Sequence, residues 1–208
     1  MRIELPISKS IANRLLILQA IHGDGLLTVS DCYSLPDDVQ LLHRTLTILK
    51  TFRTSKTLST PHVNVGNCGT AMRFLTAYCA QLEGTTVILD GVERMHHRPI
   101  GQLVDALREI GAQIDYLGAE GYPPLRIRGC ILDKQRLVTI NNPQSTQFVS
   151  ALLLIGANVQ TDSTSPYITL TRILIENYLQ RSDLQGIDAR STAQRSAVNA
   201  VNELERDW

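Results

Sequence analysis

Short apolar runs of strand period alternate along this chain with longer runs of helical period, and glycines stand at the junctions; no other feature constrains the fold as much. Residues 10 to 22 carry Ile11, Leu15, Leu16, Leu18 and Ile21 near helical spacing, with Ser8 or Ser10 placed to cap the start. Gly23 and Gly25 end that run, and residues 26 to 31 alternate as a strand does. Pro36, Asp37 and Asp38 then open a second helix, since proline and acids suit a first turn. Beyond it the pattern predicts strands over 62–66, 85–90, 112–117 and 124–128, and helices over 70–82, 99–110 and 145–157.

The last two strands flank residues 118–124, a turn-forming stretch rich in glycine and proline, and so pair as a hairpin. A hairpin among strand-helix alternations predicts an α/β domain of the α+β type, a mixed sheet with helices, and argues against a purely parallel doubly wound sheet. Gly23, Gly84 and Gly111, each between a helix and the next strand, mark a recurring unit.

With 208 residues the chain is long enough to bury a real core, and one compact domain is the default. Twenty Lys plus Arg balance twenty Asp plus Glu, so no global positive field draws in nucleic acid or acidic lipid, and any anion site is local. No apolar run approaches the length that spans a bilayer, and the expected location is the cytoplasm. Cys32, Cys68, Cys79 and Cys130 lack the paired short spacings of a disulfide framework or a zinc site. His96 and His97 are adjacent, which favours a surface loop over shared metal ligation. After residue 178 the composition turns to Arg, Ser, Gln and Asn, predicting a weakly packed tail with a short helix over 193–204.

Four clusters carry anion-binding chemistry. Lys9, Ser10 and Arg14 stand at a helix start, where free N–H groups and the positive end of the helix dipole add to their charges. Residues 66 to 73 form a glycine-rich turn between strand and helix, with Asn67, Cys68, Gly69 and Arg73; the absence of a Gly-Lys-Ser/Thr ending argues against ATP. Arg98 precedes Pro99 at an expected first helical position, and its guanidinium is suited to fork onto a carboxylate or phosphate. Ser145, Thr146 and Gln147 lie at a further helix start, as caps or as ligand donors. Such turns gather at one end of an α/β layer, and together they suit a small polyanion, such as a phosphorylated hydroxy acid.

These stretches resemble the enolpyruvyl transferases, specifically the enolpyruvylshikimate phosphate (EPSP) synthase family. The family's Lys-Ser-x-x-Asn-Arg stands here as Lys9 to Arg14, its Gly-Asn-x-Gly-Thr-x-x-Arg loop as Gly66 to Arg73, and its Arg-Pro-Ile-Gly as Arg98 to Gly101. The similarity runs from about residue 3 to about residue 178. The resemblance implies a fold of repeated βαβαββ units and transfer of the enolpyruvyl group of phosphoenolpyruvate to the 5-hydroxyl of shikimate 3-phosphate, with no metal or organic cofactor. It implies that Lys9, Ser10, Arg14, Ser145, Thr146, Gln147 and Thr164 touch shikimate phosphate, that Lys9, Asn67, Gly69, Arg98 and Gln147 face phosphoenolpyruvate, and that Lys9 is catalytic.

Against the family pattern, residues 158–166 stand where a further strand is usual, and Phe74 replaces the proline that usually follows the loop arginine. Residues 1–178 read as the shikimate-phosphate-binding domain and 179–208 as a divergent tail, without positions for the family's second domain and its acid and base. The resemblance thus implies a chain inactive or very weak alone. Two other readings stand beside it: a non-catalytic ligand-binding remnant, and the related transferase that acts on a UDP-linked amino sugar, which has Asn where Ser10 stands.

Overall fold

The computed structural model describes residues 9–22, 35–55, 59–133, 136 and 138–156. All lie in Met1–Val159, the first of two units into which the chain divides. The strand expected over 26–31, the tail from residue 179 and the short helix over 193–204 lie outside the described residues.

The elements are α1 (Lys9–His22), α2 (Asp37–Ser55), β1 (His62–Asn64), α3 (Gly69–Ala80), β2 (Thr86–Asp90), a 3-10 turn (Glu93–His97), α4 (Gly101–Glu109), β3 (Gln113–Tyr116), β4 (Leu125–Arg128) and α5 (Thr146–Gly156). From β1 to β4 this is one complete βαβαββ unit. Its sheet runs β1-β2-β4-β3, with β1 parallel to β2 and β4 antiparallel to both its neighbours. The mixed sheet and the hairpin around residues 118–124 are therefore as the sequence predicts.

Element ends differ from expectation for local reasons. β1 stops at Asn64 because its side-chain Oδ1 accepts the Gly66 amide at 2.7 Å and Gly66 turns away at φ +55°. α3 ends at Ala80, where the Gln81 amide folds back onto the Cys79 and Tyr78 carbonyls. Pro99 precedes α4 instead of opening it: Ile100, at φ −136° and ψ 0°, is the N-cap. His96 and His97 do not form an irregular surface loop but belong to the 3-10 turn, which buried Met95 anchors from beneath.

Strand alternation sends Val63, Val87, Leu89, Ile114, Leu125 and Ile127 to one face of the sheet. The register sets Val63 beside Leu89 and Leu89 beside Leu125, and Val87 beside Ile127 and Ile127 beside Ile114, so two apolar rows cross the strands. α3 lies on β2 and β4, and α4 on β3. α3 also packs against α1, α2, α4 and α5, which explains why a twelve-residue helix leaves only Thr70 and Arg73 partly exposed. Its buried Thr76 hydroxyl finds the Met72 carbonyl at 2.8 Å, and burial pushes the Cys79 thiol up to about 12, so this core cysteine stays protonated. Among the described residues, no helix is long and apolar enough to cross a membrane.

Phe74, 1% exposed at the centre of α3, fills space among the surrounding helices. Phe74→Ala is expected to cost about 3–5 kcal/mol, the usual range for emptying an aromatic site in a packed core. Urea unfolding measures it, and a loss under about 1 kcal/mol is inconsistent with this packing.

Candidate functional site

The starts of α1, α3 and α5 meet. Arg14, in the second turn of α1, donates from Nη2 to Ser150 Oγ in the second turn of α5 at 3.0 Å and lies 5.6 Å from the Phe74 ring centre in α3. Gln147, in the first turn of α5, donates from Nε2 to Thr70 Oγ1 at 2.9 Å and accepts from Arg73 Nη1 at 2.9 Å, both in α3. Arg73 in turn covers the Phe148 ring at 5.4 Å. Residues from the first two turns of each helix are thus in contact, so the three helix starts lie together. Each such end carries about half a positive charge, and the three add at one place.

Full charges reinforce these partial ones. Both Arg73 and Arg98 bring a guanidinium nitrogen to the open side of Gly69, 2.6 and 2.8 Å from where its Cβ would stand. Their hydrogen bonds go to neutral oxygens: Gln147 Oε1 for Arg73, and the Asn67 carbonyl, at 3.3 Å, for Arg98. Arg14 likewise spends its donors on the Ser10 carbonyl and hydroxyl and on Ser150. Burial lowers the pKa of Arg14 and, together with the nearby Arg98 charge, that of Arg73, and among the described residues no carboxylate pairs with either. Such a grouping of cations and helix starts suits an anion.

Lys9 stands at the first position of α1, its Nζ 3.6 Å from Asp38 at the start of α2. Both side chains are about half exposed (59% and 49%), so the ion pair holds the ammonium only weakly and leaves it transferable to an incoming anion. Cys68 caps α3, its Sγ accepting the Ala71 amide at 3.4 Å. Burial raises its thiol pKa, against the pull of that amide, so the residue serves as a cap and not as a thiolate.

Of the residues named from sequence, Lys9, Ser10, Arg14, Asn67, Gly69, Ser145, Thr146 and Gln147 fall at these helix starts and the loops leading to them, and Arg98, ahead of α4, reaches Gly69 through its side chain. Ser145 Oγ accepts the Gln147 amide at 3.3 Å and so caps α5; Thr146 is exposed at its first position. Thr164 lies outside the described residues. From sequence Arg73 stands out only as part of a motif, although its place one turn after Gly69 already sets it on the ligand side of α3. Ser150 does not stand out: a serine inside an apolar helix carries no local sign that an arginine 136 positions earlier will reach it.

Beside the cluster, β1 and β2 stay joined past their ends, with Val65 N donating to Asp90 O at 2.9 Å and Val92 N to Gly66 O at 3.0 Å. The Asp90 carboxylate accepts His96 Nε2 at 2.7 Å, the Gly91 amide at 2.7 Å and His62 Nε2 at 3.2 Å. Burial alone would raise its pKa; the bonds from His96, Gly91 and His62 outweigh that and hold it below its ordinary value.

Comparison with known proteins gives a single answer. A sequence profile of EPSP synthase (3-phosphoshikimate 1-carboxyvinyltransferase) matches residues 1–206. A 3-phosphoshikimate 1-carboxyvinyltransferase of Bacteroides fragilis (strain YCH46) is 41% identical over 187 residues, covering 85% of this chain and 42% of that protein. One from Paraburkholderia phytofirmans is 36% identical over 201 residues, covering 85% and 46%. The solved EPSP synthase from Acinetobacter baumannii superposes with a TM-score of 0.55 at 21% identity, over 84% of this chain and 43% of that one, a likeness of fold. The chain spans less than half the length of these relatives.

Two outcomes follow from the geometry. Gly69→Ala drives a methyl against the flexible ends of Arg73 and Arg98, so the fold is expected to persist while affinity for inorganic phosphate falls about tenfold, read by titration with amide shifts followed at residues 67–73. Asp90, with its depressed folded pKa, stabilises above its unfolded value of about 3.9, and that contribution is lost as pH falls through the folded value. Asp90→Asn is therefore expected to lower stability near neutral pH and to flatten the loss below about pH 4, with urea unfolding across pH as the measurement.

Proposed function

The chain belongs to the EPSP synthase family, and from that premise we propose that it supplies the shikimate-phosphate-binding half of the enzyme that joins phosphoenolpyruvate to shikimate 3-phosphate. One observation carries the reading: Arg14–Ser150 and Gln147–Thr70/Arg73 draw three helix starts and their cations into one place, with neutral oxygens as their partners. A doubly ionised phosphate and a carboxylate on one small ring fit that charge and size.

In this proposal Ser10, Arg14, Ser145, Thr146, Gln147 and Thr164 hold shikimate 3-phosphate. Asn67, Gly69, Arg98, Gln147 and Lys9 face phosphoenolpyruvate, with Arg73 joining the set. The 5-hydroxyl gives up its proton to a base as its oxygen bonds to C2 of phosphoenolpyruvate, and C3 takes a proton from an acid, giving a tetrahedral adduct. Loss of a proton from C3 and cleavage of the C2–O bond to phosphate then restore the double bond. The cations here stabilise carboxylate and phosphate through both steps, and Lys9, freed from Asp38, is the one whose charge moves onto the reacting phosphate. Moving the protons requires an acid and a base from a second domain. General acid-base groups contribute about a hundredfold to ten-thousandfold, so the chain alone is expected to bind and turn over weakly or not at all. In this proposal the protein works in the shikimate pathway, in the cytoplasm.

Calorimetric titration with shikimate 3-phosphate tests the binding half. Arg14→Ala is expected to weaken it roughly ten- to a hundredfold, the span for a charge-assisted hydrogen bond. Heat from a UDP-linked amino sugar and none from shikimate 3-phosphate sinks the substrate assignment. A phosphate-release assay with and without a separately made second half tests the division of labour, and full turnover by the purified chain refutes it.

A further inference from the structure

Among the described residues, the Arg98 guanidinium is held near Gly69 by one long hydrogen bond, 3.3 Å to the Asn67 carbonyl. It follows a five-residue 3-10 turn, a geometry with poor internal hydrogen bonds that rarely keeps its shape unaided. Two anchors hold that turn. Met95 is buried beneath it, while His96, two residues before Arg98, bonds Asp90 at 2.7 Å. Asp90 is itself fixed: its carbonyl takes the Val65 amide, its carboxylate takes the Gly91 amide, and Asn64 lies beside it in the ladder. The same corner holds the loop that carries Asn67, since Val92 N bonds Gly66 O and a Cβ on Gly91 would meet Gly66 O at 2.7 Å.

We propose that Asp90 and His96 are positioning residues for Arg98: their carboxylate–imidazole bond locks the 3-10 turn against the strand end and so fixes the guanidinium beside Gly69 for the anion. The inference rests on the reading that Arg98 and Gly69 face the phosphoenolpyruvate side of the site. His62, exposed and 3.2 Å from the other oxygen of Asp90, lies on β1 and not on the turn, so it shares the carboxylate without steering Arg98. Glu93 lies 3.7 Å from His96 Nδ1 but is itself exposed on the same turn, so it provides no attachment to the strand.

Charge and position predict opposite signs, which makes the role testable. Asp90 is a negative group near an anion site, so if only its field mattered, Asp90→Asn would tighten anion binding. If it positions Arg98, the same change weakens binding. The experiment titrates the full chain with inorganic phosphate, following the Gly69 and Arg98 amide resonances, and separately with shikimate 3-phosphate, whose ring phosphate is assigned to the Arg14 side.

His96→Ala and Asp90→Asn are expected to weaken phosphate at Gly69 and Arg98 about tenfold and to leave shikimate 3-phosphate affinity within about twofold. His96→Gln, which keeps a donor toward Asp90, recovers most of the loss, and His62→Ala shows none. Tighter phosphate binding in Asp90→Asn, unchanged binding in His96→Ala, or an equal loss in His62→Ala overturns the proposal. A wild-type chain that binds phosphate at Gly69 but ignores shikimate 3-phosphate sinks the substrate assignment and leaves the lock standing. No phosphate shifts at Gly69 and Arg98 in the wild type overturn the lock.

Discussion

The structure depends on burying α3 on nearly every side. A helix covered by α1, α2, α4, α5 and the sheet cannot leave its first amides to bulk water along its length, so its polar start must open where the neighbouring layers end. The apolar residues Met72, Phe74 and Leu75 drive this burial, each contributing roughly 1.5–3 kcal/mol on leaving water. The glycine-rich turn before the helix gives the chain room to enter that crowded position. Core packing and anion site are therefore two ends of one helix.

The second consequence concerns charge. The chain as a whole is neutral, yet Arg14, Arg73 and Arg98 are partly buried around three helix starts and are hydrogen-bonded to neutral oxygens. A structural ion-pair network would have set carboxylates among them, as Asp115 is set against Arg128 at 2.9 Å on the outer face of the sheet. Among the described residues these cations meet no carboxylate, an arrangement that costs stability and is familiar from binding sites.

Much of this was legible in the sequence because it depends on local pattern. The helical spacing of residues 69–80 and 146–156, the alternation of β2 and β4 and the turn chemistry of residues 118–124 each report their own backbone state. Convergence of the four anion clusters was legible too, since strand-to-helix turns share an end of the layer. What remained hidden depends on distant partners. The 3-10 turn has no period long enough to read, and Asp90 looked like an ordinary strand end until His62 and His96 closed on it. Ser150 acquires its meaning only from Arg14. The roles expected of Thr164 and of the tail fall beyond the described residues.

The main-chain bonds that join the loop after β1 to the loop after β2 also bear on how such a protein can change over time. Stitching made of amides and carbonyls is indifferent to which side chains hang from it, apart from the glycines it passes closely. Substitutions along those loops can therefore retune ligand preference while the backbone track stays in place, so that divergence in specificity need not be preceded by loss of the fold.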